Sequence, residues 1–413
     1  MNIMNGRDLT VKDKYISKRK RCWAEIDMNA AERNFRTIRN MLGAKTKICC
    51  VVKANAYGHG AVYLSKLYES LGADFFAVSN IEEAMQLRNN GISAPILILG
   101  YTPVSCASIL AQNNISQSVF SYNYAHALNE NASRNGVKVK IHIKLDSGMG
   151  RIGFDCIHSD SDTTDSLLKV CAMDNLINEG IFTHFAIADE GKDGKEYTDK
   201  QYRLFMEEVE RLSSHGFDFE IKHCANSATA FDYPEYHLDM VRAGIVLYGL
   251  SPSQRVGGCE SLEPVMSLRS VISMIKEIRE GDTVSYGCTF RADKKMKIAT
   301  APIGYADGYW RSNSVNGTKM LIRGKRVDIV GRVCMDQLML DVSELKDVKE
   351  VDHITVIGRD GAECISADEL AQNNGTINYE MICAISERVP RLYIKDNEIV
   401  YVKDNIVPYE ITE

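Results

Sequence analysis

The sequence predicts an α/β fold: an N-terminal (β/α)8 barrel followed by a mostly β C-terminal domain. Three observations predict it. Between residue 27 and about residue 250, eight short β-rich runs alternate with helix-like segments. Beyond about residue 260 helical periodicity fades, and strand-like runs follow one another across Gly/Asp turns. A chain of 413 residues is long enough for two domains with full cores. The expected organisation is an N-terminal arm over 1–22, a barrel over 23–258 and a β domain over 259–413.

The eight runs are centred on 48–52, 75–79, 95–100, 116–120, 137–145, 179–185, 219–225 and 241–249. Among the helices between them, "TDKQYRLFMEEVERLSSHG" places Tyr202, Phe205, Val209 and Leu212 on one face. Thr198 and Gln201 read as a capping box opening this helix, and Gly216 as its C′ residue. Past residue 260, "SLRSVISMIKEI", "KKMKIATAPIGYA", "KMLIRGKRVDIVGRVCMDQLMLDV" and "DHITVIGR" read as strands, with one clear helix at "SADELAQNNG".

Composition excludes several function classes. The net charge of -6 gives no electrostatic case for nucleic-acid or membrane binding. The one basic run, Lys12 to Arg21, reads as a solvated arm. It has neither a signal-peptide core before it nor a transit pattern. No apolar run reaches the roughly 18 residues of a membrane span. The twelve cysteines lack framework or CxxC spacing, so most read as core thiols in a reducing cytoplasm, and Cys288 reads as core rather than as an oxidation-sensitive neighbour of Tyr286. The nine histidines show no metal-ligand spacing, so no metal is expected.

Barrel chemistry sits at the C-terminal strand ends. The first run ends on Lys53, a residue type seldom fully buried. Lys53 is either a surface residue or an amine placed to react. Tyr57 follows four residues on. The fifth run ends in "KLDSGMGRIG", with Lys144 inside and Arg151 after the glycine turn. The sixth ends at His184 and the seventh in "HCANSA", and the eighth passes through "RAGIVLYG". The loops after strands seven and eight form the usual phosphate site of such barrels, and here they offer the Ser227 hydroxyl and the amides near Gly244 and Ile245. A lysine facing a phosphate cradle is the arrangement expected for pyridoxal phosphate, PLP. Each residue also has a plain reading: Arg242 as a salt-bridge partner, His223 as a satisfied core histidine, Gly244 as a turn, Tyr286 as sheet core.

From "WAEID" (23–27) to "NYEMICAISERVPR" (378–391), the chain resembles the alanine racemases, PLP enzymes with a barrel and a C-terminal β domain. "VVKANAYGHG" matches their PLP-attachment signature. "KLDSGMGRIG", "HCANSA", "RAGIVLYG", "SYGCTF", "PIGYADG" and "GRVCMDQ" match in order. The resemblance implies that Lys53 holds PLP and is one catalytic base. Tyr286, supplied by the partner subunit of a homodimer with shared active sites, is the other. It implies phosphate contacts at Tyr57, Ser227, Gly244, Ile245 and Tyr379. By the same resemblance Arg242 is expected to face the pyridine nitrogen with His223 behind it, His184 to lie beside the ring, and Leu99 and Asn226 to line the pocket. Arg151, Met335, Asp336 and Tyr305 meet the substrate or its entrance, and Lys144 stands where many members carry a carbamylated lysine. The implied activity interconverts L- and D-alanine in the cytoplasm, supplying D-alanine for cell-wall peptidoglycan. A broader alanine/serine racemase is the alternative. A related decarboxylase usually carries glutamate in place of Arg242, and PLP-carrier proteins of this barrel class lack the β domain.

Overall fold

The computed structural model describes residues 21–158 and 161–406. Apart from Arg21 and Cys22, the N-terminal arm lies outside the described residues. The chain divides into two compact units. One is Ala31–Glu263; the other combines residues up to Ala30 with those from Pro264 onward.

The first unit is the barrel. Its parallel strands are Lys47–Val51, Phe75–Val78, Ile96–Ile98, Ile115–Val119, Val139–Asp146, Leu176–Phe182, Ile221–His223 and Met240–Ala243. The first seven pair in chain order, each with its neighbour, and Met240–Ala243 pairs back onto Lys47–Val51. The seam between the last two is held by Asp239 N–H to Lys222 O (3.1 Å) and Arg242 N–H to Ala225 O (3.2 Å). Strands covered on both faces read as near-continuous apolar runs, and "FFAV" and "ILI" are buried throughout. The buried polar side chains Gln117, His142, Lys144, His223 and Arg242 break that rule. They mark where the barrel interior does something other than pack.

The second unit carries one long sheet. Its hydrogen-bonded order is Met274–Ile278, Met296–Ala301, Leu338–Asp341, Lys325–Val330, Lys319–Ile322, His353–Asp360, Met266–Val271, Cys22–Asp27, Arg391–Lys395 and Glu398–Lys403. Thus "WAEID", expected in the barrel segment, is a strand of the β unit. Trp23, fully buried, packs there with Leu392 and Val402.

Other local expectations are corrected. The helix expected from Thr198 is Lys195–Ser214 and starts earlier. Thr198 lies inside it and donates its hydroxyl to Gly194 O (2.8 Å), so there is no capping box at Thr198 and Gln201. Gly216 does take the left-handed φ of +87° that ends the helix. The eighth strand stops at Ala243, and Ile245–Tyr248 forms a short 3-10 helix. Cys288 is exposed, on a turn with φ +50°, rather than core. Ser366 caps the helix Ala367–Asn374, which Gly375 ends.

Candidate active site

Lys53 opens an unusual turn. The residues after it, Ala54, Asn55, Ala56 and Tyr57, all have φ between +51° and +54°. This is one turn of left-handed helix built without glycine, a conformation costing an L-residue roughly 1–2 kcal/mol. It persists because its surroundings fix it. Ala56 N–H bonds Val52 O (2.8 Å) and Gly58 N–H bonds Ala54 O (3.0 Å). Asn55 Oδ1 accepts Ala61 N–H (2.9 Å). The Tyr248 hydroxyl donates to Val51 O (2.8 Å), and its ring stacks on His59 at 4.6 Å.

The turn sends the buried Tyr57 toward the loops after the last two strands. A Cβ at Gly244 would lie 2.8 Å from the Tyr57 hydroxyl and 3.4 Å from Ser227 Oγ. Gly244 N–H donates to Ser227 Oγ (2.9 Å). Two hydroxyls and a backbone amide therefore converge on a spot only glycine leaves open, which suits a phosphate. Ile245 follows, fully buried, and Asn226 caps the short helix Ser227–Asp232, its Oδ1 accepting from Ala228 and Thr229 N–H. Leu99 stands just past the third strand, its N–H on Val78 O.

Arg242 is the best-anchored charge in the barrel. Nη1 donates to His223 Nδ1 (2.8 Å) and His223 O (3.3 Å). Nη2 reaches Thr183 O (2.9 Å), Cys224 O (3.0 Å) and His184 Nδ1 (3.2 Å). Burial pushes its guanidinium down to about 10, which leaves it charged at neutral pH. A relay runs behind it. His223 Nε2 lies 2.9 Å from His142 Nδ1, and His142 Nε2 lies 3.1 Å from Glu179 Oε2. Burial works against the Glu179 carboxylate, but hydrogen bonds from His142, Ser116 and Lys140 prevail and hold it at about 2. Burial above all, then nearby cations, pushes His223 and His184 well below the usual imidazole range; burial also lowers His142 against the pull of Glu179.

With Glu179 ionised and both imidazoles neutral, the bonds have one consistent direction. Glu179 accepts from His142 Nε2–H, His142 Nδ1 accepts from His223 Nε2–H, and His223 Nδ1 offers its lone pair to Arg242. The carboxylate thus sets the tautomers that receive the guanidinium. Among the described residues, none of Arg242's hydrogen bonds uses Nε–H. That donor suits an unprotonated ring nitrogen, so the residues present fit PLP at both ends: a hydroxyl-lined cradle and a spare guanidinium N–H.

Lys144 is buried on the same strand face as His142, its Nζ 5.6 Å over the Phe182 ring. Burial, with Arg242 and Arg151 nearby, pushes its ammonium down to about 7 against the pull of Asp146. Arg151 is exposed, after a loop whose amides at Gly148, Met149 and Gly150 all donate to Asp146 Oδ1. The charges of Arg242, Lys144, Arg151 and Lys53 all bear on His184, which ties these residues to one centre.

The remaining candidates lie in the β unit. Tyr286 sits at the tip of the hairpin formed by Thr283–Val284 and Phe290–Arg291, 66% exposed. Ser285 Oγ donates to Arg332 O (2.7 Å), fastening this tip to the loop bearing Met335 and Asp336. Tyr305 N–H bonds Cys334 O (3.1 Å), and Ala306 N–H bonds Met335 O (3.0 Å). Arg388 joins Asp336 to the buried Asp307, which Arg21 also holds. Tyr286, Tyr305, Met335 and Asp336 are therefore gathered within this unit. Tyr379, half-buried on the helix Asn378–Cys383, belongs to the same unit.

Two domain families match the chain: "Alanine racemase, N-terminal domain" over 26–252 and "Alanine racemase, C-terminal domain" over 265–393. An alanine racemase of Methanococcus maripaludis is 44% identical over 373 residues, covering 90% of this chain and 98% of the relative. One of Clostridium perfringens is 44% identical over 385 residues, covering 93% and 98%. The solved alanine racemase of Clostridium difficile 630 superposes with a TM-score of 0.89 at 41% identity, covering 94% of this chain and all of that one. Fold and matched domains define an isomerase of the barrel-plus-β racemase class. Within that class, the chain belongs to the alanine racemase family.

Sequence reasoning missed His142, Glu179 and the left-handed turn. A signal for the first was present: in "VKIHIKLD" polar residues recur at every second position of a strand otherwise apolar, so Lys140, His142 and Lys144 share a face.

Proposed function

We propose that this protein interconverts L- and D-alanine by a PLP-dependent two-base mechanism in the cytoplasm, supplying D-alanine for peptidoglycan. The observation that carries this reading is Arg242, held by five acceptors with Nε–H to spare. When bound, PLP supplies an electron-withdrawing ring that acidifies the substrate Cα–H. Tyr57, Ser227 and the Gly244 amide hold its phosphate, with Ile245 and Tyr379 alongside, and Lys53 holds its aldehyde end. A guanidinium has only N–H donors at neutral pH and cannot accept a hydrogen bond from a protonated ring nitrogen. Arg242 therefore leaves the ring nitrogen unprotonated, which favours return of a proton to Cα over transfer elsewhere. Racemisation needs a proton removed on one face and returned on the other. Lys53 serves one face and Tyr286 the second. Arg151 and the amides at Met335 and Asp336 bind the substrate carboxylate, and Tyr305 stands at the entrance. The exposure of Tyr286 on the single chain supports its delivery to the barrel of a second copy. No described helix is long and apolar enough to cross a membrane.

L-alanine incubated with the protein in heavy water is expected to gain deuterium at Cα and to yield D-alanine. Activity is expected to vanish on dilution to monomer. Carbon dioxide release instead would make it a decarboxylase, and a fully active monomer would remove the partner's tyrosine from the scheme.

Lys144 yields a prediction with a definite sign. Its ammonium ordinarily titrates at 10.5 and falls to about 7 on burial. Between those values the unfolded chain binds the proton and the folded one does not, so stability rises with pH across that window. In buffer free of carbon dioxide, Lys144→Met is expected to raise the urea midpoint most below pH 7 and progressively less toward pH 10. With ¹³C-bicarbonate at pH 8, the neutral amine is expected to add carbon dioxide and release a proton, giving a carbamate resonance that Lys144→Met lacks.

A further inference from the structure

We infer that Glu83 is a positioning residue for Lys53: its carboxylate fixes the left-handed turn that presents the amine. The inference rests on the proposed role of Lys53 and adds the device that holds it. Glu83 lies in the first turn of the helix Ile81–Asn89, half-buried. The sequence around it, "NIEE", has the spacing of a capping box, and Asn80 Oδ1 does accept Glu83 N–H (2.9 Å). The Glu83 side chain, however, leaves its own helix. Oε1 accepts Ala54 N–H (2.7 Å) and Oε2 accepts Ser79 N–H (2.7 Å).

The two donors explain the geometry. Ala54 is the first left-handed residue after Lys53, and the first amides of a helical turn lack partners inside it. Ser79 follows directly on the neighbouring barrel strand Phe75–Val78, and its carbonyl packs so tightly on Gly100 that no Cβ fits there. A single carboxylate therefore ties the start of a strained turn to a rigid strand end. Both bonds are charge-assisted, the stronger kind. Without them no other acceptor among the described residues meets Ala54 N–H: the bonds inside the turn use the amides of Ala56, Gly58 and Gly60. Lys53 can then leave the position from which it reaches substrate, even though the barrel stays folded.

The test uses the full chain and three variants. Glu83→Gln keeps the shape but replaces one acceptor with a donor, Glu83→Ala removes both acceptors, and Glu82→Gln is a control on the exposed neighbouring side chain. Hydrogen–deuterium exchange of the apoprotein is read on the peptides covering 52–60 and 74–80. Capture of PLP is followed by absorbance, with borohydride trapping and peptide mass locating the attachment. Exchange on both peptides is expected to quicken, and covalent capture at Lys53 to slow, by about tenfold in Glu83→Gln and about a hundredfold in Glu83→Ala. In racemisation kcat falls while KM holds, because the carboxylate-binding residues are untouched. Glu82→Gln is expected to match the wild type. If Glu83→Ala leaves exchange and capture unchanged, the inference is overturned. If the wild type traps PLP on a lysine other than Lys53, the reading of Lys53 itself fails, and the two failures are told apart by the mapped peptide.

Discussion

Lys53→Ala is expected to lower racemisation by about four orders of magnitude, the upper range for removing one positioned acid–base group. In the proposed mechanism the amine both holds the cofactor and moves a proton, so no remaining side chain substitutes for it. The fold is expected to survive. Lys53 does not share the positive φ of the four residues after it, so alanine fits its backbone without strain. PLP is still expected to bind non-covalently, because Ser227, Gly244 and Arg242 are built on other strands and Tyr57 keeps its own place in the turn. Added methylamine is expected to restore part of the rate, since a free amine can occupy the vacated volume. Undiminished D-alanine production by the variant would remove Lys53 from the mechanism.

Arg242→Glu is expected to raise transamination per racemisation turnover by about tenfold or more, since a carboxylate partner lets the ring nitrogen hold a proton. The surroundings make this variant informative in a second way. Every described hydrogen-bond partner of Arg242 accepts: His223 Nδ1, His184 Nδ1 and the carbonyls of Thr183, His223 and Cys224. A glutamate there meets lone pairs on every side. His223 can donate to it only by changing tautomer, and His142 must then follow. That turns a bare His142 Nε2 toward the Glu179 carboxylate, so the relay takes up one proton. Glu179, held at about 2 beside Arg242's relay, is expected to titrate far higher in the variant. Stability is then expected to fall as pH rises through neutrality, the reverse of what a depressed carboxylate gives. Adding Glu179→Gln supplies a donor to His142 and is expected to recover that loss. A stability profile identical to the wild type's would refute the directional relay, and unchanged transamination would refute the role given to Arg242.

The barrel was legible because its strands are covered on both faces and so appear as apolar runs at regular intervals; all eight lie where the runs predict. The boundary was not, because Cys22–Asp27 directly precedes the barrel runs in sequence and only its partners, Met266–Val271 and Arg391–Lys395, say which sheet it joins. Lys53, Arg242 and Lys144 stood out as charges in apolar surroundings. Glu83 did not, because its spacing from Asn80 already had a sufficient local explanation. The turn at Ala54–Tyr57 was illegible for a related reason: left-handed backbone is ordinarily announced by glycine, and here it is imposed on alanine, asparagine and tyrosine by bonds to other segments. The capping box expected at Thr198 failed through the opposite fault, a local pattern with no local use, since the helix starts at Lys195.

The parallel pairing of Ala24 with Arg391 and of Asp27 with Ile394 governs the order in which the chain can mature during synthesis. Residues 31–263 leave the ribosome as a complete barrel sequence. Trp23 and Ile26, fully buried in the finished sheet, emerge before it and wait until the last strands are made. During that interval they form an apolar segment without its sheet, the kind of surface that draws chaperones or misassembly. The barrel can fold as soon as it is translated, whereas the long sheet of the unit that carries Tyr286 is completed only by the last described strands.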